Sequence, residues 1–223
     1  MRVLFVSAGT RAGEPAEVVR NQANALISEG VELKHFCVGK GGLKGYIYAI
    51  PGLRREVRKF KPDVVHAHYS LSAFIAAFSG AKILVASIMG SEINGSLIHR
   101  LVIRFFIKFF WSETIVKTVS MAEKLHLDNS HVIPNGVDTE RFIPLKMSEA
   151  FICCGLDKTK KNVIFVADPL RYEKNWKLAE KAAQLITDPC IKLTSVTGIP
   201  NAQLVFYYNA ASVVLLTSRW EGS

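Results

Sequence analysis

Short apolar segments alternate along the chain with segments of helical periodicity. The apolar segments are rich in valine and isoleucine and predict strands at residues 3–7, 33–38, 64–66, 83–88 and 115–119. Their lack of apolar–polar alternation is typical of parallel strands that are buried on both faces. Helical spacing of apolar positions predicts helices at residues 14–28, 51–60 and 96–111. Strands that alternate with helices over short connections predict a doubly wound α/β sheet.

A second series of the same kind begins after Pro144. Strands are predicted at residues 163–167, 191–195 and 213–217, with a helix at 175–186. The segment 133–144 interrupts both series with two prolines and a glycine, and we interpret it as the end of the first domain and the start of a linker. The predicted fold class is α/β with two Rossmann-like domains, residues 1–143 and 144–223. Because such a domain normally has about five or six strands, we expect the second one to be incomplete.

The composition, 49% hydrophobic and 21% charged, is that of a globular chain. The four cysteines form no C-x-x-C motif and the histidines have no metal-ligand spacing, so we expect reduced thiols and no metal site. The N-terminal apolar run is too short for a signal peptide, and no stretch approaches the roughly 20 apolar residues of a spanning helix. We therefore expect a cytoplasmic protein.

The formal net charge of +9 indicates an anionic partner. Nucleic acid, an anionic membrane surface and a phosphorylated small molecule all meet that requirement, and a generally basic surface is the alternative. No recognised nucleic-acid-binding motif accompanies the charge, so nucleic acid is not an expected partner.

Four ordered motifs resemble those of family 4 (group 1) glycosyltransferases. Residues 132–144 read V-I-P-N-G-V-D-T-E-R-F-I-P, similar to the interdomain signature V-I-P-N-G-V-D-x-x-x-F-x-P of that family. The strand end D-V-V-H-A-H at 63–68, the segment I-V-K-T-V-S at 115–120 and the run from Y-N-A-A-S to S-R-W-E-G at 208–222 follow the family order. The resemblance covers nearly the whole chain. It implies the GT-B fold and sugar transfer.

The resemblance places the sugar donor on the second domain. The loop R-Y-E-K-N at 171–175 resembles the family loop that holds the donor diphosphate, which makes Arg171 and Lys174 the expected phosphate ligands. Cationic side chains suit this task because their hydrogen bonds to phosphate strengthen as negative charge develops. The alternative is a pair of solvated charges at a helix start. Such cations are unfavourable there unless an anion is bound.

Glu221 resembles the first glutamate of the family motif E-x7-E. The resemblance implies that Glu221 hydrogen-bonds the donor sugar, as a catalytic and donor-binding residue, and that Gly222 belongs to the same donor site. The second glutamate of the motif would follow Ser223. We therefore expect a chain that is C-terminally truncated within its donor site.

The first domain carries three further candidates. Gly13 lies in the loop after the first strand, where the family brings backbone close to the donor phosphates, although plain turn chemistry also explains a lone glycine. His68 ends the D-V-V-H-A-H strand and is expected to be catalytic, whereas His66 is expected to be a core histidine. Glu92 takes the aspartate position of a family H-G-S-D segment and is the expected acceptor-binding residue, with Met89 in place of the histidine.

The resemblance implies a retaining, metal-independent hexosyltransferase without a cofactor. It would transfer sugar from a nucleotide-diphosphate sugar to a polysaccharide or lipid-linked acceptor. The main alternative is a catalytically incomplete fragment that binds at most an acceptor or a membrane. A sugar-nucleotide epimerase shares the fold but lacks the P-N-G-V-D linker pattern.

Two basic segments indicate where a membrane could be bound. Between residues 97 and 111, Arg100, Arg104 and Lys108 recur every four residues among apolar and aromatic side chains, and a second group of cations lies between residues 40 and 61. A half-buried helix with its cations in water explains the first pattern. The functional interpretation is an interfacial helix that holds the protein peripherally on the anionic inner membrane surface, near a lipid-linked acceptor.

Overall fold

The computed structural model describes residues 1–10, 12–39, 42–90, 92–93, 96–127 and 130–221. The chain divides into two compact units, Met1–Gly136 and Val137–Glu221, which we call the first and second units. The division comes before residue 143, where the sequence placed the domain boundary.

The described part of the first unit contains a six-stranded parallel sheet flanked by five helices. The strands follow the spatial order β2-β1-β3-β4-β5-β6 and are β1 (Arg2–Ala8), β2 (Glu32–Val38), β3 (Val64–His68), β4 (Leu84–Ser87), β5 (Glu113–Val116) and β6 (His131–Val132). The helices are α1 (Glu17–Ser28), α2 (Gly42–Phe60), α3 (Ser70–Ala77), α4 (Leu97–Phe109) and α5 (Val119–Leu125). All neighbouring strands pair in parallel.

Opposite faces of this sheet bury different helices, because successive side chains along a strand alternate between the faces. Leu4, Val65 and Val116 belong to a core that includes buried residues of α2, α3, α4 and α5. Val3 and Phe5, on the opposite face, pack with Val19 and Ala23 of α1. The arrangement is the doubly wound one, and the predicted α/β class with parallel sheets is confirmed.

The described part of the second unit has three parallel strands and three α-helices. The strands lie in the order β8-β7-β9 and are β7 (Lys161–Phe165), β8 (Ile191–Ser195) and β9 (Val213–Val214). The helices are α6 (Met147–Cys153), α7 (Trp176–Gln184) and α8 (Asn201–Ala210), with a 3-10 turn at Tyr172–Lys174. Ala150, Ile164, Val196 and Ala210 form its buried core.

Asn209 ties the chain around the predicted boundary to the second unit. Its side-chain amide donates to the carbonyl oxygens of Ile143 at 3.0 Å and Val205 at 2.9 Å, and its oxygen accepts from the Leu145 amide at 2.8 Å. These bonds fasten the chain after the P-N-G-V-D motif to helix α8. This segment is therefore part of the second unit.

The strand predicted at 115–119 is shorter in the structure. It ends at Val116 because Thr118 caps helix α5, its hydroxyl accepting from the Met121 amide at 3.3 Å. A threonine cap satisfies an otherwise unpaired amide and starts a helix where the apolar run alone predicts continued strand.

Candidate functional site

Arg171, Lys174 and Glu221, three predicted donor-site residues, lie together in the second unit. The Lys174 ammonium donates to both carboxylate oxygens of Glu221, at 2.8 Å each. The Arg171 guanidinium donates from Nε to Oε1 of Glu173 at 2.7 Å. We call these four side chains, together with Arg219, the donor cluster.

The fold assembles the donor cluster from two chain segments that follow neighbouring strands. Arg171 and Lys174 lie in the loop after β7, and Glu221 lies beyond β9, which pairs with β7 in parallel. The Thr217 hydroxyl donates to the carbonyl oxygens of Lys174 and Asn175 at 3.1 Å, and ties the two segments together. Carboxyl ends of parallel strands meet at one sheet edge, which is where ligands bind in such sheets.

Aromatic rings border the donor cluster. The Arg219 guanidinium lies over the ring of Tyr172, 4.5 Å from its centroid, and the Arg219 amide donates to the Glu173 carbonyl at 2.8 Å. The ring of Trp220 lies 6.1 Å from that of Tyr172. Cations stacked on rings and paired with carboxylates are held in fixed positions, as phosphate recognition requires.

The two carboxylates of the cluster are ionised at neutral pH. Burial raises the pKa of Glu221, but the hydrogen bonds and charge of Lys174 outweigh it, and the pKa lies below its usual range. Hydrogen bonds from its own backbone amide and from Arg171 lower the pKa of Glu173. A bound diphosphate would therefore compete with these carboxylates for the cations. Gly222, the remaining predicted donor residue, lies outside the described residues.

His68, the predicted catalytic residue of the first unit, ends strand β3 and is 2% exposed. Its ring meets that of Phe5 edge-on with centroids 4.5 Å apart, and stacks on His66 at 4.3 Å. His66 shares a 2.8 Å hydrogen bond with the Ser87 hydroxyl. By contrast, neither ring nitrogen of His68 has a hydrogen-bond partner among the described residues.

Both histidines are neutral at physiological pH. Burial, with the nearby charge of Lys117, lowers the pKa of His66 to about 4. Burial lowers the pKa of His68 well below its ordinary value, and His66 and Lys117 add to the effect. A neutral His68 can donate one hydrogen bond and accept another, but it carries no charge.

The backbone is strained directly after His68. Tyr69 has φ 79° and ψ 142°, a conformation that residues with side chains rarely adopt, and its amide donates to the Ser87 carbonyl at 2.9 Å. Such strain costs about 1–3 kcal/mol and clusters at functional sites. The strain therefore supports a functional role for the strand end at His68.

Glu92, the predicted acceptor-binding residue, is buried and makes structural contacts. It is 3% exposed, and its Oε1 accepts from the backbone amides of Ser70 at 3.2 Å and Met89 at 3.1 Å. Glu92 thus joins the loop after β4 to the start of α3. Acceptor binding by Glu92 stays a prediction beside this structural contribution.

Gly13 lines a cavity of about 550 Å³ at the carboxyl end of β1, with Glu14, Pro15, Arg20, His35 and Cys37 as the other lining residues. Its φ of 81° requires a glycine-like backbone, while a Cβ would meet nothing within 4 Å. The sequence left two explanations for this glycine, close approach of a ligand and plain turn chemistry. The structure gives conformation as a sufficient reason, and the donor role of Gly13 stays a prediction.

Lys117 is a buried charge that the sequence interpretation missed. It follows strand β5 and is 4% exposed. Burial lowers the pKa of its ammonium group. The available signal was a lysine within the otherwise apolar run I-V-K-T-V, which the family resemblance treated only as a strand.

Helix α4 presents an apolar surface that also carries cations. Ile98 is 74% exposed and Phe109 is 61% exposed, while Arg104 and Lys108 are exposed on the same helix. Only Ile103 of α4 is buried, among the residues that the structure describes. Within those residues no helix has the length and apolarity needed to cross a membrane.

The described ranges contain no grouping of three or more histidine, cysteine, aspartate or glutamate side chains that could hold a metal ion. All four cysteines are described, and each is a free thiol.

The chain has two α/β units, each with a parallel sheet, and a P-N-G-V-D segment near the junction between them. A cation–carboxylate cluster lies at one sheet edge. These features are those of the GT-B class of proteins. The sequence profile of Glycosyltransferase Family 4 matches residues 3–141. The chain belongs to this family. No curated protein matches it significantly in sequence.

Solved structures share the fold at low sequence identity. Sucrose-phosphate synthase from Thermosynechococcus elongatus is similar with a TM-score of 0.71 and 14% identity, over 100% of this chain and 76% of that one. HepE from Anabaena, solved in complex with UDP, has a TM-score of 0.64 and 12% identity over 99% and 75%. UDP-GlcNAc 2-epimerase from Methanocaldococcus jannaschii has a TM-score of 0.59 and 11% identity over 96% and 78%. The fold is thus common to a sucrose-phosphate synthase, a UDP-binding protein and an epimerase.

Proposed function

We propose that this protein is a retaining, metal-independent glycosyltransferase that uses a nucleotide-diphosphate sugar and a polysaccharide or lipid-linked acceptor. The observation that carries the proposal is the donor cluster, in which Arg171 and Lys174 lie beside Glu221. Membership of glycosyltransferase family 4 and the UDP bound to HepE support a nucleotide sugar as the donor. The P-N-G-V-D segment favours a transferase over an epimerase.

In the proposed reaction the cations act on the leaving group. Arg171 and Lys174 bind the diphosphate and stabilise the charge that it gains as its bond to the sugar breaks. The acceptor hydroxyl attacks the anomeric carbon from the side of the leaving group, and its proton passes to the departing phosphate oxygen. One C–O bond forms and one breaks on the same face of the sugar, so configuration is retained without a protein nucleophile.

Glu221 and His68 have supporting tasks in this proposal. Glu221 accepts hydrogen bonds from sugar hydroxyls once a diphosphate has taken over Lys174. His68, neutral at physiological pH, hydrogen-bonds a substrate and does not act as a charged acid. Glu92 orders the loop that follows β4, on the acceptor side.

Calorimetric titration of UDP, GDP and their sugars tests the donor assignment. We expect one nucleotide pair to bind, with affinity reduced at least ten-fold by Lys174→Met because a charge-assisted bond to phosphate is lost. Lys177→Met removes an exposed lysine three residues further on and serves as the matched control. If no nucleotide binds to the unmodified chain, the donor assignment is wrong.

The transfer chemistry needs its own assay. With the donor identified, proton NMR of the anomeric signal during turnover reports retention or inversion, and turnover with EDTA reports the need for a metal. Epimerised nucleotide sugar in the absence of any acceptor would instead support the epimerase alternative.

A second proposal rests on helix α4. Its exposed apolar side chains lie beside exposed cations, as in helices that rest in the interfacial layer of an anionic membrane. Peripheral binding there would bring the first unit to a lipid-linked acceptor on the cytoplasmic side. Flotation with vesicles of phosphatidylglycerol and phosphatidylcholine tests this, and no binding at low salt would contradict it. Vesicle binding without any nucleotide binding would support the binding-module alternative.

A further inference from the structure

Lys117 lies on the same side of the first sheet as His68. Strand register pairs His68 with Ser87, and Ser87 with Ile115, two residues before Lys117. Val116 faces the core formed with α2 to α5, so the next residue faces the opposite side. Lys117 and His68 therefore occupy one face at the carboxyl edge of neighbouring strands.

The Lys117 side chain is largely shielded from water, at 4% exposed, and its charge has no compensating partner among the described residues. No hydrogen bond or salt bridge reaches its ammonium group from any residue that the structure describes. The carboxylate nearest along β5, that of Glu113, is taken by His131, with Oε2 and Nε2 2.9 Å apart. An unpaired ammonium that is only partly hydrated is less favourable than one on the open surface, and it gains more from an anionic partner.

His68 supplies a second, independent indication of a ligand on this face. It is buried more deeply than Lys117, and both of its ring nitrogens lack a partner among the described residues. Buried polar atoms are nearly always hydrogen-bonded, and exceptions concentrate at binding and catalytic sites. A negatively charged group would pair with Lys117. A hydrogen-bonding group would pair with His68.

We infer that Lys117 and His68 form an anion-binding subsite of the first unit that takes a phosphate group of the acceptor, separate from the diphosphate at Arg171 and Lys174. The ammonium provides charge, and the neutral imidazole donates one hydrogen bond to a phosphate oxygen. An anion gains more from a lysine in this poorly solvated position than from one in water. Assigning the phosphate to an acceptor rests on the proposed function, but anion binding at Lys117 does not.

Titration with inorganic phosphate at constant ionic strength, followed by 31P NMR and by thermal unfolding, tests the subsite. We expect saturable binding to the unmodified chain and at least ten-fold weaker binding to Lys117→Met. Lys124→Met removes an exposed lysine of α5 and should bind phosphate as the unmodified chain does. If Lys117→Met does not fold, Lys117→Gln keeps a polar side chain and should show the same loss.

Two results would overturn the subsite. One is equal phosphate affinity for the Lys117 and Lys124 variants, and the other is no saturable phosphate binding by the unmodified chain. The Lys174→Met variant separates the two sources of phosphate. Phosphate binding that persists there and resists UDP supports an acceptor phosphate, while displacement by UDP overturns that assignment.

The same titrations separate this inference from the proposed function. Phosphate binding that depends on Lys117, in a chain that ignores every nucleotide, would leave the subsite standing and remove the transferase proposal. Nucleotide binding without phosphate binding at Lys117 would remove the subsite and leave the transferase proposal standing.

Discussion

Lys174 and Glu221, which are 47 positions apart in sequence, form a two-pronged ion pair, with the ammonium donating to both carboxylate oxygens at 2.8 Å. The pair joins the residue expected to hold phosphate to the residue expected to hold sugar. In the proposed function, donor binding replaces at least part of this internal contact by contacts with ligand, because the diphosphate competes with Glu221 for the ammonium. The groups that pair with each other in the structure are thus the same groups that the proposed donor would bind.

Glu221→Gln should separate the two halves of donor recognition. Removing the carboxylate frees Lys174, so affinity for the nucleoside diphosphate alone should hold or rise, while the additional affinity contributed by the sugar should fall about ten-fold, as expected for the loss of a charged hydrogen bond. Calorimetry with the diphosphate and with its sugar form measures both. Glu180→Gln, on the exposed side of α7, is the control. An equal loss for both ligands would contradict the assignment.

Acid should destabilise the first unit through its buried histidines. The pKa of His66 is lowered from 6.5 to about 4, so between these values the unfolded chain binds a proton that the folded chain does not. The contribution of this group to the free energy of unfolding is complete above the unfolded pKa and falls as the pH falls towards 4. At about 1.4 kcal/mol per pKa unit, the total loss is about 3 kcal/mol. His68 acts in the same direction.

Urea unfolding between pH 7 and 4.5 measures this dependence. His66→Asn should flatten the profile in the acid range, whatever its effect at neutral pH. His126→Asn, at an exposed position, should leave the slope unchanged. A profile for His66→Asn as steep as that of the unmodified chain would show that His66 is not the group responsible.

Asn209→Ala should loosen the start of the second unit. The substitution removes three hydrogen bonds that hold the Ile143–Leu145 segment and the preceding helical turn. We expect a loss of about 2 kcal/mol in the free energy of unfolding, since the carbonyl and amide groups left behind are partly shielded from water. Gln203→Ala, on the exposed side of the same helix, controls for the change in helix propensity. Equal stability of the two variants would contradict the anchoring contribution.

Reversing two charges on helix α4 should reduce membrane binding. Arg104→Glu combined with Lys108→Glu replaces attraction by repulsion, and each basic residue near an anionic surface contributes about 1 kcal/mol, so vesicle affinity should fall at least ten-fold. Lys177→Glu with Lys181→Glu makes the same change at the same spacing on exposed α7. Flotation of both double variants at low salt gives the comparison. If the α7 variant loses binding equally, net charge and not helix α4 is responsible.

Strand positions could be predicted well from the sequence, because buried parallel strands are the densest apolar segments. The strand at Ile191–Ser195 matches its prediction at both ends. Helix α2 was predicted to begin at Pro51, yet it begins at Gly42 and contains that proline, which is a position that proline rarely takes. Helix α3 was missed because Ser70–Ala77 is mostly buried and has no polar face to mark a helical period.

The candidate site could be predicted only in part, for a physical reason. Motif order identified Lys174 and Glu221 separately, but their contact depends on β9 lying beside β7, which no local pattern reveals. Lys117 is an ordinary residue by type, and its interest comes from burial on the same sheet face as an unsatisfied histidine. Burial of a charge is a property of the folded chain and not of the local sequence.

The contact between Trp220 and Tyr172 has a practical consequence. The three tryptophans are Trp111, Trp176 and Trp220. Trp111 is buried in the first unit, whereas Trp220 is 40% exposed at the donor cluster beside Arg219 and Tyr172. A chain that keeps only Trp220 carries an intrinsic optical reporter at the donor cluster, and one that keeps only Trp111 reports melting of the first unit. Ligand occupancy and unfolding can then be read as separate emission signals without any attached dye.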